Sequence, residues 1–251
     1  MRGVSNLGGV VKRLIWFSFF ALCCASLAPA QTISPVIVEY PEKADGRFQI
    51  YNDADIPLTV VLEPHSFSVN EAGNATFRKL DPGVHVQLSS TSFRLAPKQT
   101  FFVFYKASAE TLPNWFCIYA TITGATTTTG IKLALELPHT VYLLSRKPLN
   151  RDEVSWVHTE VSGAGDKQKI VAEVENHGVG FTRVEEIQVT SASGKQEFGG
   201  FPLFPGQRRA FELEWNQPGT PAHIILKCSH FKLESDLKTT TAELKSAATS
   251  P

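Results

Sequence analysis

From Ile33 onward, apolar residues recur at every second position in short runs, and Gly, Pro, Asn and Asp separate the runs. That period places alternate side chains on opposite faces of an extended chain, whereas a helix would need apolar repeats at three and four. The pattern predicts strands at 33–40, 47–52, 58–63, 84–89, 100–106, 115–122 and 131–144, then at 154–160, 170–175, 183–189, 208–215 and 223–231. Many short strands punctuated by turn residues indicate an all-β chain built as β-sandwiches of the immunoglobulin-like kind.

An internal repeat divides the chain in two. The first half has Ile50-Tyr-Asn52 and later Leu95-Ala-Pro97-Lys-Gln99; the second has Val174-Glu-Asn176 and later Leu203-Phe-Pro205-Gly-Gln207. In each half an apolar-x-Asn closes one strand and Leu-x-Pro-x-Gln opens a later one. Proline fixes φ and lacks an N–H, so it suits a strand entry and not a strand interior. Two tandem domains are therefore expected at 31–147 and 148–237. They divide where strand signal stops and charges cluster around Pro148, in Arg146-Lys-Pro-Leu-Asn-Arg151. So short a link predicts a fixed angle between them. At 238–251 the chain becomes small and polar, which predicts a disordered tail.

The last strand of the first half is unusual. Leu133, Leu135, Leu137, His139, Val141 and Leu143 fall on one face. The run exceeds the usual five or six residues, and Pro138 within it argues for a sheet edge. A long apolar edge invites aggregation unless a partner strand is meant to join it. Leu133, Leu135 and Leu137 are accordingly candidate binding residues on a segment at 131–137, with Val141 contributing less. The same alternation would arise if these residues filled the core of their own domain.

Composition narrows the function. Twenty-four basic and 24 acidic residues cancel in the 251-residue chain, so no bulk field gathers nucleic acid or an anionic membrane. Residues 1–30 read as a secretory signal: Arg2, Lys12 and Arg13, an apolar stretch from Leu14 to Cys24, then Ala28-Pro29-Ala30 as the cleavage site. Cleavage there would remove Cys23 and Cys24 and leave Cys117 and Cys228, one in each half, expected to be buried and unpaired. The seven histidines are scattered without metal-ligand spacing, and Cys228 with His230 supplies two ligands where a site needs more. Gly-x-Ser-x-Gly is absent, Gly163-Ala-Gly165 suits a turn, and Glu185 and Glu186 would point to opposite faces of a strand. No enzyme, metal or cofactor is expected.

Three segments in this order, Ile50-Tyr-Asn-Asp53 before Pro57, Phe93-Arg-Leu-Ala-Pro-Lys-Gln99 and the leucine row, make the sequence resemble the periplasmic chaperones of the chaperone-usher pilus-assembly family. The resemblance implies a periplasmic protein whose two domains are set in an L. It also implies that the leucine row completes the sheet of pilin-like subunits, which are then delivered to an outer-membrane usher without membrane insertion of the chaperone. That family holds the pilin carboxylate with a lysine on the donor strand and an arginine on the first strand, at positions that here are Tyr142 and either Val36 or Ile37. An anchor would then have to come from His139, Arg146 or Lys147; Arg146 also matches a family arginine that pairs charges near the domain junction. The alternative implied is a chaperone-like envelope adaptor or structural module without pilin binding.

Overall fold

The computed structural model describes residues 31–126, 132–163 and 168–239, and among them there is no α-helix, only a 3₁₀ turn at Arg151–Glu153. The first half contributes β1 (Thr32–Ser34), β2 (Ile37–Pro41), β3 (Lys43–Tyr51), β4 (Leu58–Val69), β5 (Ala75–Lys79), β6 (Val84–Leu88), β7 (Ser92–Leu95), β8 (Thr100–Ala109), β9 (Asn114–Thr126) and β10 (Lys132–Leu144). They form two sheets, one in the order β1-β3-β8-β6 and one in the order β2-β10-β9-β4-β5, with β7 also on β4. The second half has β11 (Val154–Ser162), β12 (Gln168–Asn176), β13 (Thr182–Thr190), β14 (Lys195–Gly199), β15 (Pro202–Leu203), β16 (Arg208–Trp215), β17 (His223–Cys228), β18 (Lys232–Asp236) and β19 (Lys238–Thr239). Its sheets run β16-β12-β11-β19 and β14-β13-β17-β18, with β15 on β13.

Alternation builds each core. Phe48 and Ile50 on β3, with Val103 and Tyr105 on β8, belong to the same buried cluster as Leu58, Val60 and Leu62 on β4 and Phe116, Ile118 and Ile122 on β9. Every second residue of each strand thus joins one core, and each large side chain so buried contributes roughly 1.5–3 kcal/mol. A separate cluster serves the second half, with Ile170, Val174, Ile187, Leu203, Trp215, Ile224 and Leu226 among its buried members. Cys117 and Cys228 are free and buried, and burial pushes both thiols up to about 11.

The repeated asparagines explain the repeated turn. Asn52 is fully buried; its Nδ2 donates to the carbonyls of Ile56 (2.9 Å) and Ala96 (3.0 Å), and its Oδ1 accepts from the Ala54 N–H (2.9 Å). Asn176, also fully buried, donates to Gly180 (2.8 Å) and Phe204 (3.0 Å) and accepts from Gly178 (3.0 Å). The turn glutamines match too: Gln99 accepts from the Ala96 N–H, Gln207 from that of Phe204, and their carbonyls accept from the Asn52 and Asn176 N–H groups. Between proline and glutamine the chain takes a positive φ, 65° at Gly206 and 56° at Lys98. Glycine adopts this freely. Lys98 does so with its ammonium held by the backbone carbonyl and carboxylate of Asp53.

Some boundaries differ from the sequence expectation. The run at 33–40 is two strands, because at Pro35 the chain leaves one sheet and joins the other. The run at 223–231 likewise ends at Cys228 and resumes at Lys232. β5 and β14 carry no apolar alternation, and β5 is exposed along its whole length, so only their neighbours make them strands. Lys238 and Thr239 were expected to open the tail, yet they pair in parallel with Glu160 and Val161, a main-chain ladder that needs no apolar side chain. The expected signal at 1–30, Ile131 and the rest of the tail at 240–251 lie outside the described residues.

The two halves are in direct contact. Phe67, Cys117 and Tyr142 of the first pack with Phe204 of the second, joined by Trp115 and Phe181. The turn after β4 docks on the start of β16: Ala210 N–H donates to the Glu71 carbonyl (3.0 Å), and Gln207 Nε2 to that of Val69 (3.0 Å). Gly73 suits that turn because its φ of 87° is one that side-chain-bearing residues rarely adopt, and the absence of a Cβ leaves room for the Arg209 guanidinium.

Candidate functional site

β10 pairs along its whole length with β9, but on its other side only 140–144 is covered, by parallel β2. The segment 132–138 is therefore an open sheet edge among the described residues. Strand geometry sends successive amides to opposite sides. Thr140 N–H donates to the Val36 carbonyl (2.7 Å), toward β2. The main-chain groups of Ala134 and Glu136 share that direction and face the open edge. Pro138 falls in the same phase, so its missing N–H costs the β9 ladder nothing and blunts the edge where β2 begins.

The leucine row is one face with two environments. Leu133 and Leu135 are 49% and 39% exposed, Leu137 is partly buried against the first core, and His139, Val141 and Leu143 are fully buried. Val141 is thus a core residue and not part of an accessible row, because β2 closes its flank and the facing sheet covers it. Opposite Leu133 the ladder shifts register between Lys132 and Ala134; Gly124 on β9, at φ 110°, takes up the extra residue. The structure brings Leu133, Leu135 and Leu137 together on the open segment and places Val141 apart from them.

The three anchor candidates divide in the same way. His139 cannot meet a carboxylate: it is buried, stacked on Phe48 (4.5 Å between ring centroids), with both ring nitrogens engaged. Nδ1 lies 2.7 Å from the Pro35 carbonyl, which only accepts, so Nδ1 carries the proton and Nε2 accepts from the Tyr105 hydroxyl at 3.0 Å. Burial holds His139 below the ordinary histidine range and raises the Tyr105 phenol. Arg146 and Lys147 are exposed and line a shallow pocket of about 240 Å³ with Phe181 and His230, and Arg146 already pairs with Glu42 (2.9 Å). Leu135 to Leu144 alone is nine residues of extended chain, roughly 30 Å, so these cations stand far from the leucine row.

Tyr142, at the position where the resemblance led one to look for a lysine, lies in the contact between the two halves. It is buried in contact with Phe67, Phe181 and Phe204, with the Arg183 guanidinium 4.9 Å above its ring. Arg183 Nε also bonds the Glu39 carboxylate at 2.7 Å, while one Nη has no partner. A cation thus stands at this junction, supplied by the second half. No sequence signal pointed to it, since Glu39 and Arg183 are 144 positions apart. Tyr105 could have been suspected, because an inward-facing tyrosine needs a partner for its hydroxyl. Arg183→Gln is expected to cost about 1 kcal/mol, the worth of a partly buried pair with a ring contact, read as a small downward shift in thermal midpoint. Val36 and Ile37, the other family position, are exposed at the entry to β2.

No group of three or more His, Cys, Asp or Glu side chains that could hold a metal occurs among the described residues, and no helix there is long and apolar enough to cross a membrane. No protein-family model matches the sequence, and no curated protein does. Solved structures do. The YadV chaperone aligns over 82% of this chain and 99% of its own, at 10% identity and a TM-score of 0.51. A Salmonella enterica structure of SafA pilin with the SafB chaperone aligns over 85% of this chain and 99% of that one, at 13% identity and a TM-score of 0.49. The Pseudomonas aeruginosa CupB2 chaperone aligns over 83% and 100%, at 10% identity and a TM-score of 0.47. With its two pairs of sheets and its spanning alignment to YadV, the chain has the two-domain β-fold of the chaperone-usher pilus chaperones.

Proposed function

We propose that this is an exported, periplasmic, non-enzymatic chaperone that stabilises a pilin-like subunit by lending it the 132–138 edge of β10, and that it passes the subunit on for assembly, with an outer-membrane usher as the receiving partner. The observation that carries this reading is the open edge itself, with Leu133 and Leu135 exposed on the face that continues into the core. Main-chain hydrogen bonds to Ala134 and Glu136 would supply general affinity, and the leucines in a partner's pockets would fix register. The solved complex of the SafB chaperone with SafA pilin is consistent with a subunit of that class. The aromatic setting of Tyr142 argues against a family-style carboxylate anchor from that side chain; the exposed cations left for charge anchoring are Arg146 and Lys147, beyond the far end of the strand.

Affinity purification of the exported protein from an envelope fraction tests the reading. The expected result is co-purification of an immunoglobulin-like subunit lacking its final strand, with a bait whose intact mass begins at Gln31. Recovery of an exported, folded bait that binds no such subunit even when the two are co-produced would leave the adaptor reading in its place.

A further inference from the structure

Where the open edge stops is as specific a feature as the edge itself. The stop coincides with a buried polar chain: the Pro35 carbonyl accepts from His139 Nδ1–H, Nε2 meets Tyr105, and the Tyr105 and Tyr40 hydroxyls are 3.4 Å apart. Tyr40 lies on β2 and Pro35 sits at the sheet-to-sheet crossing just before it. One histidine on β10 therefore grips the entry to β2, and through Tyr105 it reaches the body of the same strand. We propose that His139 is the pin that ends the open edge, and that its protonation in mild acid frees the 35–41 segment and lengthens the edge from 132–138 to Leu144.

The groups facing His139 are Tyr105 from β8, Phe48 from β3, the Pro35 carbonyl, and Cys117 of β9, whose thiol lies against the histidine main chain. Among the described residues no charged side chain contributes to its surroundings; burial depresses its basicity, opposed by the bond to Pro35. Once the segment is released, the imidazole can reach water and regain its ordinary pKa of 6.5. The released form then binds protons more tightly than the pinned form. Linkage makes the pin fully effective above about pH 6.5 and progressively weaker as pH falls through that value. β2 has only five residues and exposed Val36 and Ile37 at its entry, and its release also has to break the packing of Val38 and Tyr40 on the first core and the Glu39–Arg183 pair.

The consequence for a partner, a longer docking strand in acid, rests on β10 being the binding edge, but the pin is a property of the free protein and is tested without any partner. Amide hydrogen exchange is measured by NMR at pH 7.5 and pH 5.0, corrected for the intrinsic chemical rate. The ladder gives an internal control, since Thr140, Tyr142 and Leu144 amides point to β2, and Val141 and Leu143 amides point to β9. The expected result is a loss of protection of about tenfold or more at pH 5.0 for the first three, with Val141 and Leu143 unchanged. His139→Asn, which keeps a donor for the Pro35 carbonyl but does not titrate in this range, is expected to remove the pH dependence. Equal protection at both pH values, or simultaneous loss at all five amides, overturns the pin. If His139→Asn does not fold, the contrast within the wild type decides alone.

Discussion

Leu135→Asp is expected to leave the protein folded while abolishing capture of a partner strand. Leu135 is 39% exposed on the open part of β10, so an aspartate there keeps access to water and costs the free protein about 1 kcal/mol. In a complex the same carboxylate would have to enter an apolar pocket without a counter-charge. That penalty is on the order of 4 kcal/mol, about a thousandfold in affinity. Val141→Asp supplies the contrast six residues along the same face. Val141 is fully buried, an unpaired charge there has nowhere to go, and no folded first domain is expected. Circular dichroism and a subunit-binding titration on both variants separate the two environments. Unfolding by Leu135→Asp would make the whole row core. Undiminished binding by the folded variant would remove the edge mechanism and favour the adaptor reading.

Asn176→Ala is expected to destabilise the second domain by about 3–5 kcal/mol, because it strips partners from the buried carbonyls of Gly180 and Phe204 and from the half-buried Gly178 N–H at once. Against a typical total of about 5–15 kcal/mol this is a large fraction. Denaturant titration followed by the fluorescence of Trp215, a member of the second core, reads the change. Asn52→Ala is expected to act with similar size in the first domain, since its side chain serves the equivalent groups. A loss under 1 kcal/mol at both sites would mean that water or a shift of the turn replaces the asparagine.

These two sites show what the sequence made legible and what it did not. The asparagine and Leu-x-Pro-x-Gln recurrence was visible because the knot is built from residues whose chemistry is local to a turn. The all-β architecture and the leucine row followed from period alone. How far the row stays exposed did not, since alternation is identical whether a face meets solvent or core; the answer depends on β2, which returns in parallel from a hundred positions upstream. His139 fell on the correct face with the wrong role for the same reason: its partners come from Pro35 and Tyr105. The Glu39–Arg183 pair and the ring contacts of Tyr142 join the two domains, and no motif records such contacts. Lys238 and Thr239 read as tail because a main-chain ladder leaves no mark on side-chain composition.

The most direct measurement is the exchange of the Ala134 and Glu136 amides in the free protein and in the proposed complex with a pilin-like subunit. In the free protein both face an unpaired edge and are expected to exchange quickly, while the neighbouring Leu135 and Leu137 amides, bonded to β9, exchange slowly. On complex formation Ala134 and Glu136 are expected to become as protected as their neighbours, as an added strand requires. A stable complex in which those two amides continue to exchange at their free rate would contradict the edge mechanism.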